Sequence, residues 1–125
     1  MALGSDWPIG PGHPRIGLAD CRLRRPVEEP DTAPVQPGQA ITAREAYTGM
    51  TAAAAYAAGA SDELGRIVPG RLADLTVFAA NPLDLTPDAQ PGNPVLATVV
   101  GGAVQLHPDS TSSRTSSSPG RASPR

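Results

Sequence analysis

Any core that this chain builds must be assembled from small side chains. Among its 125 residues only Trp7, Tyr47, Tyr56 and Phe78 are aromatic, whereas 20 are alanine. Burial stabilises roughly in proportion to apolar area, at about 25 cal/mol per Å2, so a methyl contributes little and many have to pack together. A chain of this length allows one small domain at most, and a complete (β/α)8 barrel, which needs about 250 residues, is out of reach. Fifteen prolines, 13 glycines and nine serines interrupt it further. That share is near the roughly 25–30% at which low-complexity behaviour sets in, so part of the chain is expected to stay unfolded.

Charge and cysteine usage remove several classes of function. All ten basic residues are arginine, they are set against 12 acidic ones, and the net charge is -2. Neither a nucleic-acid footprint nor a polybasic membrane patch is expected from such a balance. Cys21 is the single cysteine, so no internal disulfide can form, and His13 and His107 cannot by themselves complete a metal site of three or four ligands. There is no apolar run of about 18 residues, and Asp6 and Pro8 stand where a signal peptide would be greasy. The expectation is a soluble protein of the reducing cytoplasm.

Organisation is legible from the punctuation. Residues 108–125 hold seven of the nine serines with three prolines and three arginines, which predicts a disordered tail. Between residues 25 and 39, Pro26, Pro30, Pro34 and Pro37 alternate with Glu28, Glu29 and Asp31, the pattern of a loop between elements. Ahead of it, Ile16, Ala19 and Leu23 recur at helical spacing, with Arg22 and Arg24 where the helix dipole favours cations, so a short helix is expected over residues 15–24.

After the loop, Thr42-Ala43-Arg44-Glu45 matches a capping box, which starts a helix at Ala43. Ala46, Tyr47, Met50, Ala53, Ala54 and Ala57 continue one apolar face, and Gly59 stands where a left-handed cap is expected. Gly49, between Thr48 and Thr51, is expected to divide the stretch into two short helices. Further on, Ile67 and Val68 precede a Pro69-Gly70 turn, and residues 73–80 alternate Leu75 and Val77 against Asp74, Thr76 and Phe78, as a strand does. Residues 95–100, the pair Gly101-Gly102 and residues 103–106 form a hairpin pattern, because paired glycines supply the positive φ of a two-residue turn.

One stretch looks chemical: Gly4-Ser5-Asp6-Trp7-Pro8. On spacing alone Asp6 is either a turn former whose carboxylate accepts nearby amides or a catalytic group, and the pattern leaves both open. His13 lies among glycines and prolines as an exposed loop histidine, and His107 begins the tail. Cys21 falls in the first helix as a small buried thiol. Asp74 is expected on the solvent side of its strand or on the amides of the Pro69-Gly70 turn. No nucleophile constellation, phosphate loop or CxxC pattern occurs.

Taken together, Gly4-Ser5-Asp6-Trp7-Pro8 with Pro14-Arg15, "TAREAYTGMTAAAAY" at 42–56, "GRIVPGRLADLTV" at 65–77 and "TVVGGAV" at 98–104 resemble, in order and spacing, the end of the metal-dependent amidohydrolases. More narrowly, they resemble the family-3 amidohydrolases. The resemblance spans residues 2–106, and its most specific element is Pro69-Gly70-Arg71-Leu72-Ala73-Asp74-Leu75.

The resemblance implies an α/β fold: a C-terminal fragment of a (β/α)8 amidohydrolase barrel, plus a small β-sheet from a composite β-sandwich. Residues 1–60 would supply the last barrel strand (residues 3–6), the proline-rich loop and the closing helices. Residues 61–107 would belong to the sandwich, and 108–125 to the disordered tail. It further implies hydrolysis of a non-peptide carbon–nitrogen bond, in a small amide or formamide, with a divalent metal, zinc by family expectation. Asp6 matches the final metal ligand of the family and its proton-transfer group. The other ligands, histidines and a bridging group of earlier strands, are absent from this sequence. The fragment alone is therefore expected to be inactive, with the missing N-terminal barrel portion as its partner. The rival expectation is a non-catalytic truncated or remnant chain that at most binds a partner through an exposed sheet edge.

Overall fold

Three short helices followed by a small antiparallel sheet make up the computed structural model, which describes residues 1–10 and 12–107. The stretch expected to form a disordered tail, 108–125, lies outside the described residues. Helix α1 spans Pro14–Leu23, α2 Ala43–Met50 and α3 Ala52–Ala57, and strands β1 (Leu75–Phe78), β2 (Val95–Val100) and β3 (Ala103–Leu106) lie side by side in that order. Among the described residues, no helix is long and apolar enough to cross a membrane.

Local chemistry explains each helix boundary. Pro14 occupies the first turn of α1, where a missing N–H costs nothing. The helix ends at Arg24, whose φ of 60° is left-handed and whose amide donates to the Asp20 carbonyl at 2.7 Å. The loop that follows is anchored at its base, with the Val27 amide on Asp20 Oδ1 and the Val35 amide on the Arg24 carbonyl, both at 2.7 Å. The capping box forms as the sequence predicts. The Glu45 amide donates to Thr42 Oγ1 at 3.2 Å, and Glu45 Oε2 accepts from the Thr42 amide at 2.8 Å.

The division between α2 and α3 is also present, but its cause differs from the expected one. The break falls at Thr51 (φ -120°, ψ -92°), whose hydroxyl donates to the Tyr47 carbonyl at 2.6 Å and whose amide bonds Thr48 instead of continuing the ladder. Gly49 stays helical and buried for a steric reason. A Cβ there would lie 2.7 Å from Leu3 Cδ1, and the Leu3 amide donates to the Gly49 carbonyl at 3.0 Å. Helix α3 closes on Gly59 at φ 71°. The Ala60 amide reaches the Ala55 carbonyl at 2.9 Å and the Gly59 amide the Tyr56 carbonyl at 3.0 Å, a Schellman ending.

The sheet departs from strict alternation at one point. Leu75 pairs with Val99, Thr76 with Thr98 and Val77 with Ala97, but Phe78 pairs with Val95, so Leu96 is an extra residue on β2. This bulge and the brevity of β1 correct the expected strand over 73–80: Val77 is exposed while Phe78 is half-buried. Residues 65–74 form no strand, because the Val68-Pro69-Gly70-Arg71 turn takes the chain away. The hairpin forms as expected, with Gly101 and Gly102 at φ 55° and 83°. Asp74 caps this turn and not the Pro69-Gly70 one, its Oδ1 accepting from the Gly101 amide at 2.7 Å. His107 extends the hairpin instead of opening the tail, with its amide on the Leu96 carbonyl at 2.9 Å and Nε2 3.0 Å from Thr98 Oγ1.

The apolar core consists of Leu18, Ala19, Ala46, Ala55 and Ala97. Helices and sheet meet mainly through polar groups. Gln90, fully buried, donates to the Pro82 carbonyl at 2.9 Å and toward the Tyr47 hydroxyl at 3.4 Å, and the Tyr47 ring stands edge-on to Phe78 at 6.4 Å. Asn93 brackets both the amide and the carbonyl of Ala80 at 3.1 Å. From α1, Arg15 donates to the Asn93 carbonyl and Arg22 to the Leu85 carbonyl.

Replacing Gly101 and Gly102 together by valine forces two β-branched residues into left-handed backbone, at about 1–2 kcal/mol each. Thermal unfolding followed by circular dichroism is expected to show Tm lower by at least about 5 °C, with strand signal lost. An unchanged melt would show that the turn contributes little.

Candidate functional site

Residues 5–10 form a tight turn in which the Gly10 amide donates to the Ser5 carbonyl at 3.0 Å and the Ile9 amide to the Asp6 carbonyl at 2.8 Å. Asp6 opens the inner bend, whose central residues are Trp7 and Pro8, and has φ 50° and an exposed side chain. Both of these amides bond main-chain carbonyls, so the carboxylate is not consumed in holding the turn. Residues 3–6, expected as a strand end, form no strand among the described residues. A strand needs a ladder partner, and here one bond, Leu3 to Gly49, is what fixes the segment.

Behind the turn lies an open cleft of about 430 Å3 between the N-terminal segment and α1, with Leu3, Ser5, His13, Cys21 and Met50 in its walls. His13 occupies the N-cap position of α1 without capping it, and its Nε2 lies 2.6 Å from an Arg15 guanidinium nitrogen. Partial burial, aided by the Arg15 charge, holds its imidazole below its ordinary value. Cys21 is half-buried, less than expected, and its Sγ donates to the Leu18 carbonyl at 3.3 Å. Burial pushes this thiol above its ordinary range.

The donor set bears directly on the expected metal. Among the described residues no three of His, Cys, Asp and Glu come together in a way that could hold an ion. His13 is engaged with Arg15, His107 is on the sheet with Thr98, and Asp6 stands without either of them. The described residues therefore do not by themselves fit a catalytic metal.

The sequence profile of the amidohydrolase family matches residues 1–105. The chain belongs to the amidohydrolase family. Protein LONG AFTER FAR-RED 3 of Arabidopsis thaliana is 37% identical over 109 residues, which cover 86% of this chain and 18% of that protein. An N-substituted formamide deformylase of Arthrobacter pascens is 32% identical over 105 residues, covering 84% of this chain and 19% of that one. The chain thus spans less than a fifth of the length of these relatives. No solved structure matches. The sequence reading missed the buried amides Gln90 and Asn93, which support this amidohydrolase segment from the sheet side. They sit in loops without periodicity, and only the cluster of prolines around them, Pro82, Pro87, Pro91 and Pro94, marks the region.

The raised Cys21 pKa has a definite sign. The folded state holds the proton more tightly than the unfolded one, so this contribution to stability is present below the ordinary thiol range and is lost as pH rises through and beyond it. Reaction with an aromatic disulfide reagent is expected to be slower than that of free cysteine near neutrality, with its pH–rate midpoint displaced upward. A midpoint at or below that of free cysteine would contradict this.

Proposed function

We propose that this chain is the C-terminal portion of a metal-dependent amidohydrolase that acts in the cytoplasm on a non-peptide carbon–nitrogen bond of a small amide or formamide. The observation that carries the reading is the family match over residues 1–105. In this reading residues 1–60 close the barrel, residues 3–6 becoming the end of its last strand only once neighbouring strands pair with them, and 61–107 belong to the sandwich. The likeness to an N-substituted formamide deformylase makes N-substituted formamides the first substrates to test.

The sheet supports a larger assembly. Leu75, Val99 and Val104 stand in register, as do Val77, Ala97 and Leu106, giving one apolar face on which Val77, Val104 and Leu106 are exposed. A second sheet layer packs on such a face about 10 Å away, and the missing N-terminal portion is the partner proposed for it.

In the complete protein the role of Asp6 is to accept the proton of the attacking water and hand it to the departing nitrogen as the C–N bond breaks, releasing an acid and an amine. If the complete protein binds a divalent ion, zinc by family expectation, Asp6 would be one of the residues holding it, and the ion would supply the acidity that ionises water near neutral pH. Most of its ligands would come from outside this chain, so the isolated chain is expected to be inactive.

The test is release of formate from N-substituted formamides with added zinc, comparing this chain, the complete protein and its Asp6→Asn variant. The complete protein is expected to turn over and the chain alone not to. Asp6→Asn should lower kcat by about 10²–10⁴-fold, the usual loss for a general base. Turnover by the isolated chain would overturn the fragment reading, and undiminished turnover by the variant would remove Asp6 from the mechanism. The exposed edge strand β3, with all four residues open to solvent, favours the rival reading as an interaction module if the complete protein is inert.

A further inference from the structure

The polar ties between the helices and the sheet all pass through one loop. Among the described residues, four such contacts cross from residues 1–60 to residues 75–107. Arg15 donates to the Asn93 carbonyl, Arg22 donates to the Leu85 carbonyl at 3.0 Å, Arg25 pairs with Asp88 at 3.4 Å, and Gln90 donates to the Tyr47 hydroxyl at 3.4 Å. Every one of them falls between residues 85 and 93, and none ends on a strand. Helix α1 packs on this loop at the short 3-10 turn Pro87–Ala89. The strands add the edge-on meeting of Phe78 with Tyr47.

The loop itself is tied to the sheet and to its own residues. At its neck the Ala79 amide donates to the Pro94 carbonyl at 2.9 Å, and the Asn93 side chain holds both the amide and the carbonyl of Ala80. Across it, Gln90 donates to the Pro82 carbonyl at 2.9 Å, and the Leu83 amide donates to Asn81 Oδ1 at 3.1 Å. Gln90 and Asn93 are buried within this chain, and a larger protein could only bury them further. A loop whose ends meet and whose interior is filled by its own side chains keeps its shape. The grip on α1 is of another kind. It consists of single bonds from long arginine side chains, one of them an ion pair whose Asp88 end is exposed and which contributes little. Elements joined by so few contacts separate at a lower free energy than the residues of one ladder.

We propose that residues 80–93 are a clasp: a self-tied loop that belongs to the sheet and holds it on α1 through Arg15 and Arg22, so that loss of these two contacts lets helices and sheet turn against each other as intact bodies. The clasp is a conformational device of the fold and is independent of the catalytic reading.

The test is nuclear magnetic resonance on the 125-residue chain. Residual dipolar couplings of the amides in α1–α3 and in β1–β3 are expected to fit one alignment tensor, with a cross-relaxation peak between the Tyr47 and Phe78 rings. In the double variant Arg15→Met, Arg22→Met, which keeps the aliphatic stems and removes the guanidinium groups, helices and sheet are expected to need two tensors. The ring–ring peak is lost, while the strand amides keep their protection from hydrogen exchange. Two tensors in the unaltered chain, one tensor in the variant, or a sheet that loses protection along with the helices overturns the clasp. Asn93→Ala cuts the neck of the loop but leaves the carbonyl that Arg15 holds. Exchange of the Leu83 and Gln90 amides is expected to rise by about tenfold or more in this variant, and unchanged exchange overturns the self-tied loop.

Discussion

The join between the helices and the sheet is made by hydrogen bonds because the side chains available to it are too small to make it by area. Among the described residues, four of the five buried apolar side chains are alanines, and burial of a methyl contributes far less than that of a leucine or phenylalanine. The connection is carried instead by directional groups: Arg15 on the Asn93 carbonyl, Arg22 on the Leu85 carbonyl, and Gln90 reaching Pro82 and Tyr47. Such bonds fix geometry strictly, and leaving one unmade in the interior is expensive. Gln90 Oε1 itself is buried without a partner among the described residues. The long connection between β1 and β2 is thereby held against α1, and the sheet keeps its place beside helices that it touches through little more than Tyr47 and Phe78.

What the sequence made legible were features whose physics is local. The capping box at Thr42, the glycine ending at Gly59 and the double-glycine hairpin each depend on residues within five positions of one another, and all three are present in the structure. Features that depend on distant partners were not legible. The bulge at Leu96 arises from pairing with a strand some twenty residues earlier. The role of Gly49 is set by Leu3, and the break at Thr51 came from a threonine hydroxyl and not from the glycine two positions before it. Asp74 shows the same limit: that its carboxylate caps a turn could be read, but the turn it caps lies 27 residues away.

The candidate site divides along the same line. Motif order identified the family, and the comparisons agree with it over residues 1–105. The turn that presents Asp6 follows from neighbouring residues, whereas the partners of that carboxylate do not, because a metal or catalytic site is a convergence of side chains from separate elements. Among the described residues that convergence is absent. His13 illustrates why a histidine near such a motif is not evidence of one. The Arg15 cation at 2.6 Å from its ring competes with any second cation, and after burial, the larger cause, it also lowers the affinity of the imidazole for a proton.

Among the described residues, exposed apolar side chains occur at several places, from Tyr56 and Ile67 to the sheet and the N-terminal turn, and the sheet face differs from the others in form. On the sheet, the uncovered residues Val77, Val104 and Leu106 are set by strand register at regular spacing on a flat face. A surface of that form is matched by another ordered layer, whose side chains can interdigitate along the strands. At the N-terminal turn, Trp7 and Ile9 project from a loop a few residues long beside a free carboxylate. The regular spacing on the sheet is the reason its face is the one proposed to meet the rest of a larger fold.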